Sequence, residues 1–308
     1  MFILNFLILI IFILISVAFY VVLERKVLGL IQLRKGPFKV GFLGILQPFS
    51  DAIKLFSKES FFLFFGNLII YYFMPLFSLI ISLNMWCLYP SLYNFISFPL
   101  GILFFICSSS FLVYGVLLAG WSSNSMYSMI GSIRSVAQSI SYEVCLFLII
   151  FILVIFFNNF NFIKLSFLQN FNWFIFFGFF MFLILFSCIL AETNRSPFDF
   201  AEGESELVSG FNVEYSSFNF SFIFLSEYAN MILMSFILSL LFLGGDFFNL
   251  MFFLKVMFVG FTFIWIRATL PRYRYDKLMI LCWKIYLPIG LNFMMFCFNL
   301  KLVINFII

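Results

Sequence analysis

Residues 2–23 read FILNFLILIIFILISVAFYVVL, a run of apolar side chains without a charged residue. A helix of about 20 such residues spans the hydrocarbon core of a bilayer. Similar runs recur along the chain of 308 residues, which is 65% hydrophobic and 10% charged, with a mean hydropathy of +1.16. Soluble domains have about 25% charged residues. The sequence therefore predicts an all-α, polytopic membrane protein that forms a single membrane domain over residues 1–308.

About eight transmembrane helices are predicted, at residues 2–23, 66–88, 98–119, 135–157, 172–191, 218–243, 247–266 and 279–299. All basic residues except Lys164, Lys255 and Lys301 lie in or beside the loops on one face. The positive-inside rule makes this face cytoplasmic, or matrix-facing in a mitochondrion. Its loops comprise residues 24–65, 120–134, 191–217 and 267–278. Between the sixth and seventh helices, Gly244 to Asp246 predict a tight turn, and Pro288 predicts a kink in the eighth helix.

An amphipathic helix is predicted inside the first of these loops, starting at Pro48. Its apolar side chains recur at the helical period and its charged ones are predicted to face away, with Phe49, Ala52, Ile53 and Phe56 opposed to Asp51, Lys54 and Lys58. This pattern is typical of a helix that lies in the membrane interface. Two interpretations stay open, a connector that rests on lipid and a lid over an opening into the bilayer.

The composition argues against a redox metal. The chain has no His, and its six Cys are too far apart in sequence for a cluster-binding motif. Haem, copper and many zinc sites rely on His ligands. We therefore predict that this chain binds no metal or haem. We also expect no bound flavin and no nucleic-acid partner.

Carboxyl groups lie where the sequence predicts membrane. Glu143 and Glu227 are each about nine residues into a predicted helix, a costly position that indicates a functional role. Residues 191–215, AETNRSPFDFAEGESELVSGFNVEY, contain six of the 13 acidic residues, namely Glu192, Asp199, Glu202, Glu204, Glu206 and Glu214. Such a cluster favours a role in holding protons, cations or a docked protein. Polar contacts between helices and a solvated acidic turn are the simpler alternatives.

The fourth predicted helix has polar side chains on two opposite sides. Arg134, Gln138, Ser141 and Cys145 share one side, and Ser132, Ser139 and Glu143 share the other, at 100° per residue. Little surface is left for lipid, so we expect this helix to be central in the bundle.

Six segments resemble the subunit 1 family of the proton-pumping NADH:ubiquinone oxidoreductase, respiratory complex I. They are ERKVLG from residue 24, QLRKGP from 32, LQPFSDAIKLF from 46, AETNRSPFD from 191, AEGESELVSGFNVEY from 201 and WIRATLPRYRYD from 265. The resemblance covers nearly the whole chain. It implies a core subunit in the mitochondrial inner membrane, in contact with the quinone-site subunits of the hydrophilic arm and with neighbouring small membrane subunits.

The resemblance also implies two sets of functional residues. Ubiquinone, the substrate, would pass through a tunnel entered between the first helix, the sixth helix and the surface helix. The tunnel wall would include Arg25, Arg34, Asp51, Ala52, Arg195, Glu204, Glu206, Phe224 and Arg274. A proton path that couples quinone reduction to pumping would include Glu143, Glu192, Asp199, Glu202 and Glu227.

Other interpretations stay open at this point. The chain is also compatible with the related membrane subunit of a hydrogenase-type complex, with a stand-alone ion or proton transporter, and with a structural anchor for a soluble partner. Transporters often contain internal repeats with broken helices, and the sequence shows none. Glu24 and Arg25 have their own alternative, as an anchor pair at the membrane interface.

Overall fold

The computed structural model describes residues 2–61, 63–90, 98–169, 172–201, 203, 210–247 and 249–307. All regular structure in these residues is helical, which confirms the all-α prediction. The helices are α1 (Phe2–Ile31), α2 (Gln47–Ser57), α3 (Leu68–Met85), α4 (Gly101–Ser122), α5 (Met126–Phe157), α6 (Phe162–Leu168), α7 (Phe179–Glu192), α8 (Ser217–Phe242), α9 (Leu250–Thr269), α10 (Tyr275–Ile280) and α11 (Leu287–Ile307). Within the described ranges, seven helical stretches are long and apolar enough to span a membrane, and α7 is a shorter apolar helix.

Helices α5 and α8 form the centre of the bundle. Helix α8 packs against α1, α3, α7 and α9, while α5 packs against α4, α7 and α11. In its most apolar window α8 is 78% buried, against 50% for α5 and 22% for α1. The predicted central position of the helix with two polar sides is confirmed, although α8 is buried further than α5.

The helix ends differ from the predicted spans on the basic face. Helix α1 continues to Ile31 and α5 begins at Met126, so parts of the predicted loops 24–65 and 120–134 are helical. An apolar run indicates only the part of a helix that lies in the hydrocarbon core. The backbone hydrogen bonds of the helix can continue beyond that part. Helix α7 is shorter than its predicted span, with 14 residues, or about 21 Å of rise.

The turn predicted between the sixth and seventh helices is too short. Helix α8 ends at Phe242 and α9 begins at Leu250, so the connection runs from residue 243 to 249. Gly244 has a φ of 83°, a value that favours glycine. Pro288 lies in the first turn of α11, directly after a π-helical segment, Leu281–Tyr286. The π-helical turn shifts the backbone hydrogen bonds directly before Pro288, which has no N–H to donate.

Candidate functional site

The end of α1 contributes a buried carboxylate, Glu24, which is only 3% exposed. The Tyr228 hydroxyl of α8 donates a hydrogen bond of 2.6 Å to Glu24 Oε2. Arg267 of α9 donates to Glu24 Oε1 through Nη1. Arg195, which follows α7, places its Nη1 3.6 Å from the same oxygen. One acidic and two basic side chains, widely separated in sequence, thus form a single buried charge cluster.

This burial rules out the interfacial anchor interpretation for Glu24. Sequence reasoning assigned Glu24 no role beyond that alternative, and it assigned no individual role to Tyr228 or Arg267. A charged residue at the end of an apolar run is the usual pattern of an interfacial anchor, and only the packing of α1 on α8 and α9 distinguishes the two cases. Arg25, the other member of the expected anchor pair, is about half exposed and pairs with Asp51.

Arg195 keeps its charge inside the bundle. Its guanidinium carbon lies 4.5 Å from the centre of the Tyr228 ring. Burial alone would lower the pKa of Arg195, but Tyr228 and the carboxyl groups of Glu24 and Glu227 raise that pKa above its ordinary value. The guanidinium is therefore a fixed positive charge in the loop that joins α7 to α8.

A cavity of about 80 Å³, with polar and apolar lining residues, lies between α3, α4, α5 and α8, at the end of α7. At about 15 Å³ per water, it has room for roughly five water molecules. Its polar lining consists of Ser78, Ser109, Ser135, Ser139, Glu192, Thr193, Asn194, Ser226, Glu227 and Asn230. Within the described part of the chain, three buried oxygen atoms of this lining have no hydrogen-bond donor, Glu192 Oε2, Asn194 Oδ1 and Asn230 Oδ1. Buried acceptors are nearly always paired with protein or water, so this lining requires water.

A second cavity, of about 10 Å³, lies beside the first and has room for about one water. Its lining comprises Asn194, Arg195, Ser196, Asp199, Ala201, Glu227 and Arg267. Glu227 and Asn194 therefore line both cavities. Asp199 is mostly buried, and its Oδ2 lies 3.6 Å from Arg272 Nη2. The geometry connects Glu192 to Glu227 through one cavity and Glu227 to Asp199 through the other.

The remaining acids of the predicted proton path do not line the two cavities in the described part of the chain. Glu143 is half-buried on α5 and is near enough to Glu192 for their charges to interact, but it lines neither cavity. Glu202, Glu204 and Glu206 fall outside the described residues. Gln138 holds this region together, because its Nε2 donates hydrogen bonds of 2.8 Å to the Ala191 and Phe198 carbonyls.

Part of the predicted tunnel wall meets where α1, α2 and α8 come together. Arg25 Nη1 of α1 donates a 2.5 Å hydrogen bond to Asp51 Oδ2 of α2. Asp51 is about one-third exposed, so this ion pair lies at the surface of the bundle. The polar side that the sequence predicts for α2 therefore carries a contact with α1.

Aromatic pairs hold α2 on its two neighbours. Phe49 of α2 has its ring centre 6.4 Å from that of Phe19 on α1. Phe56 is 6.3 Å from Phe222 of α8 by the same measure. Phe224 is half-buried on α8, with its ring centre 4.4 Å from that of Phe220. The junction of these three helices is the one that the resemblance implies for the tunnel entrance.

Two other predicted wall residues are exposed and have only local partners in the structure. Arg34 donates to Gln32 Oε1 at 2.8 Å, and Arg274 pairs with Asp276 at 3.0 Å. Among the described residues, no group of three or more His, Cys, Asp or Glu side chains is arranged to hold a metal ion.

Comparison with known proteins identifies the family. The family model described as NADH dehydrogenase matches residues 4–298. The chain belongs to the NADH dehydrogenase family. This match includes both cavities and the charge cluster, and it confirms the resemblance seen in the sequence.

Curated relatives within the NADH dehydrogenase family are similar over almost their whole length. A protein of Locusta migratoria named NADH-ubiquinone oxidoreductase chain 1 is 58% identical over 301 residues, which is 98% of this chain and 96% of that protein. The protein of the same name from Anopheles gambiae is 56% identical, over 96% of this chain and 94% of the relative. The one from Emballonura alecto is 47% identical, over 94% of this chain and 94% of the relative.

Proposed function

We propose that this chain forms the wall and entrance of the ubiquinone tunnel in NADH:ubiquinone oxidoreductase, and that its buried acids couple quinone reduction to proton pumping. The chain is a membrane subunit of this enzyme, by its family and by the names of its relatives. It works beside other subunits of complex I in a mitochondrial membrane. We assign it to the inner membrane, with its basic loops against the hydrophilic arm. Ubiquinone is the substrate, and the electrons come from partner subunits.

The proposed proton path rests on one observation. Glu227 lines both cavities, with Glu192 on one and Asp199 on the other. Carboxyl groups that share ordered water exchange protons through it, and in a bilayer such acids mark proton relays. Glu143, Glu192, Asp199, Glu202 and Glu227 are the members that we assign to this path.

The proposed entrance rests on the junction of α1, α2 and α8. An isoprenoid tail is apolar, and the aromatic side chains of α2 and α8 provide an apolar lining at the level of the bilayer surface. Arg25 and Asp51, with Ala52 and Phe224, are the wall residues at this junction. Arg34, Arg195, Glu204, Glu206 and Arg274 complete the proposed wall.

Glu192→Gln is the experiment that tests the coupling role. A glutamine cannot take up or release a proton, so quinone-linked proton pumping by the assembled enzyme is expected to fall by about tenfold or more. Glu59→Gln is the matched control, because Glu59 is exposed outside the bundle. Unchanged pumping and NADH:quinone turnover in the assembled Glu192→Gln enzyme would contradict the proposal.

The electron acceptor distinguishes this proposal from the alternative of a hydrogenase-type membrane subunit. Activity of the intact assembly is expected to depend on added quinone. Turnover of the assembled enzyme with hydrogen and without quinone would favour that alternative instead.

A further inference from the structure

Two cysteine thiols from distant parts of the chain meet inside the bundle. Cys145 lies on α5 and Cys282 lies in the π-helical segment Leu281–Tyr286, and their sulfur atoms are 3.4 Å apart. Both side chains are buried, although 137 residues separate them in sequence. The Cys282 thiol also donates a hydrogen bond of 3.1 Å to the Ser141 carbonyl of α5. The Cys282 side chain is thereby held facing α5 and the sulfur of Cys145.

The two sulfur atoms are close to the geometry of a disulfide bond. In a disulfide the sulfur atoms are about 2.05 Å apart, so this pair needs to approach by about 1.3 Å. A π-helical turn is a local departure from the α-helix, and such turns are frequent at functional sites. Its backbone hydrogen bonds can shift towards the α-helical pattern, which moves the side chains of the turn. Cys282 therefore lies in a part of its helix that can move towards Cys145.

The larger cavity brings water, and molecules of similar size, into the neighbourhood of this pair. Glu192 lines that cavity. Cys188 is one helical turn before Glu192 on α7, and it is near enough to Glu192, Cys145 and Cys282 for their charges to interact. Hydrogen peroxide is neutral and little larger than water, and the cavity has room for roughly five water molecules. A peroxide molecule in the cavity thus lies close to the thiols.

We propose that Cys145 and Cys282 are a modification site, at which a hydroperoxide joins them in a disulfide that slows NADH:quinone turnover. This inference goes beyond the proposed function and depends on neither the tunnel nor the proton path. Its readouts are a covalent bond within this chain and the activity of the assembled enzyme.

The chemistry requires one hydroperoxide for each disulfide. One thiol of the pair loses its proton to water, and its sulfur attacks a peroxide oxygen. The O–O bond breaks, which leaves a sulfenic acid and a hydroxide ion that takes up a proton. The sulfur of the second thiol then attacks the sulfenic sulfur, so that the S–S bond forms, the S–O bond breaks and the second hydroxide leaves with the remaining thiol proton as water. The two thiols lose two electrons and two protons in total, and hydrogen peroxide is reduced to two molecules of water.

The helix that carries Cys282 also contacts the loop between α7 and α8. Just before α10, the Tyr273 N–H donates to the Pro197 carbonyl at 2.9 Å, and Arg272 Nη2 lies 3.6 Å from Asp199 Oδ2. A disulfide at Cys282 draws this helix towards α5 and so shifts both contacts. A displacement of about 1 Å that originates far from the chemistry can cost about 100-fold in rate. We therefore expect the disulfide to slow turnover.

The first test is mass spectrometry of the unmodified assembled enzyme before and after treatment with hydrogen peroxide. A disulfide is expected between the peptides that contain Cys145 and Cys282, and dithiothreitol is expected to reduce it. As the disulfide forms, NADH:quinone turnover is expected to fall by about threefold or more, and to recover with dithiothreitol. This test needs no variant and so does not depend on the folding of one.

The second test asks whether this pair causes the loss of turnover. Cys145→Ala and Cys282→Ala each remove one of the two thiols, so the loss that dithiothreitol reverses is expected to disappear in both variants. Cys188→Ala is the matched control, because Cys188 is equally buried and its removal leaves both sulfur atoms of the pair in place. The reversible loss is expected to persist in Cys188→Ala.

Three results would overturn the inference. The first is recovery of Cys145 and Cys282 as free thiols from peroxide-treated enzyme whose turnover has fallen reversibly. The second is a disulfide that forms without any change in turnover. The third is a reversible loss of the same size in Cys145→Ala. Each of these results leaves the proposed tunnel and proton path standing, since Glu192→Gln tests that function separately.

Discussion

At the scale of the residue, the charge of Glu24 is stabilised by partners from distant parts of the chain. Removal of one partner from a buried ion pair costs about 3–5 kcal/mol. Glu24→Gln leaves Arg195 and Arg267 without their shared carboxylate, and we expect a loss of about 3 kcal/mol in stability, at the lower end of that range. Arg267 is about one-third exposed, which limits the cost.

Thermal denaturation of the assembled enzyme measures this loss. Asp276→Asn is the matched control, because it removes a carboxylate from the exposed pair with Arg274 and is expected to cost less than about 1 kcal/mol. Equal denaturation temperatures for Glu24→Gln and Asp276→Asn would show that Glu24 does not stabilise the bundle.

Gln138 is a residue whose role depends on where its two acceptors lie. Its amide binds the Ala191 and Phe198 carbonyls, which flank Glu192 and Asp199 in sequence. Gln138→Leu is expected to cost about 2 kcal/mol and also to lower quinone-linked turnover per assembled enzyme, because the acids lose their support. Assembly yield and turnover are measured separately.

Gln169→Leu provides the comparison for Gln138→Leu. Gln169 binds the Leu241 carbonyl and the Gly244 N–H at the opposite end of α8, far in sequence from the acids. Its loss is expected to cost a similar free energy and to leave turnover per assembled enzyme unchanged. A similar fall in turnover for both variants would mean that stability alone explains the effect of Gln138.

At the scale of the element, helix α2 borders the proposed tunnel entrance, so a substitution on it tests whether quinone passes there. Ala52 is half-buried on α2, and Ile53 next to it is 69% exposed. Ala52→Phe is expected to narrow the junction with α1 and α8 and to raise the KM for long-tailed quinones more than for short-tailed ones. Ile53→Phe adds a bulky side chain on the exposed side of the same helix and is expected to change neither KM. Equal losses with both tail lengths would contradict a tunnel entrance beneath α2.

At the scale of the whole molecule, the number of membrane crossings depends on α7. This helix has 14 residues, about 21 Å, against a hydrocarbon core of about 30 Å. If α7 crosses, Lys164 lies on the same face as Lys301, and Lys58 and Lys277 lie on the other. We expect this arrangement, because it keeps the basic loops together.

Accessibility of introduced thiols decides between the two arrangements. Single Lys→Cys variants at these four positions are treated with a membrane-impermeant maleimide in sealed vesicles, with the six native cysteines as background. Labelling of Lys277→Cys from the same side as Lys164→Cys would mean that α7 does not cross.

The sequence by itself determined the helical membrane fold, its family and the identity of most of the acids in the candidate site. Uninterrupted apolar runs have few alternatives in a bilayer, since every backbone polar group must be satisfied within the segment, and long motifs such as AEGESELVSGFNVEY are specific enough to identify relatives. Residue type and depth therefore sufficed to single out Glu143, Glu192 and Glu227.

Only the tertiary structure decided which of these side chains meet. Glu24 and Arg267 are 243 residues apart in sequence and form one ion pair, and Asp51 turned out to face a partner on α1. Helical periodicity describes one helix at a time, whereas burial and pairing of a charge depend on which helix lies opposite. The cavities that connect Glu192, Glu227 and Asp199 are spaces between helices, so their positions follow from packing.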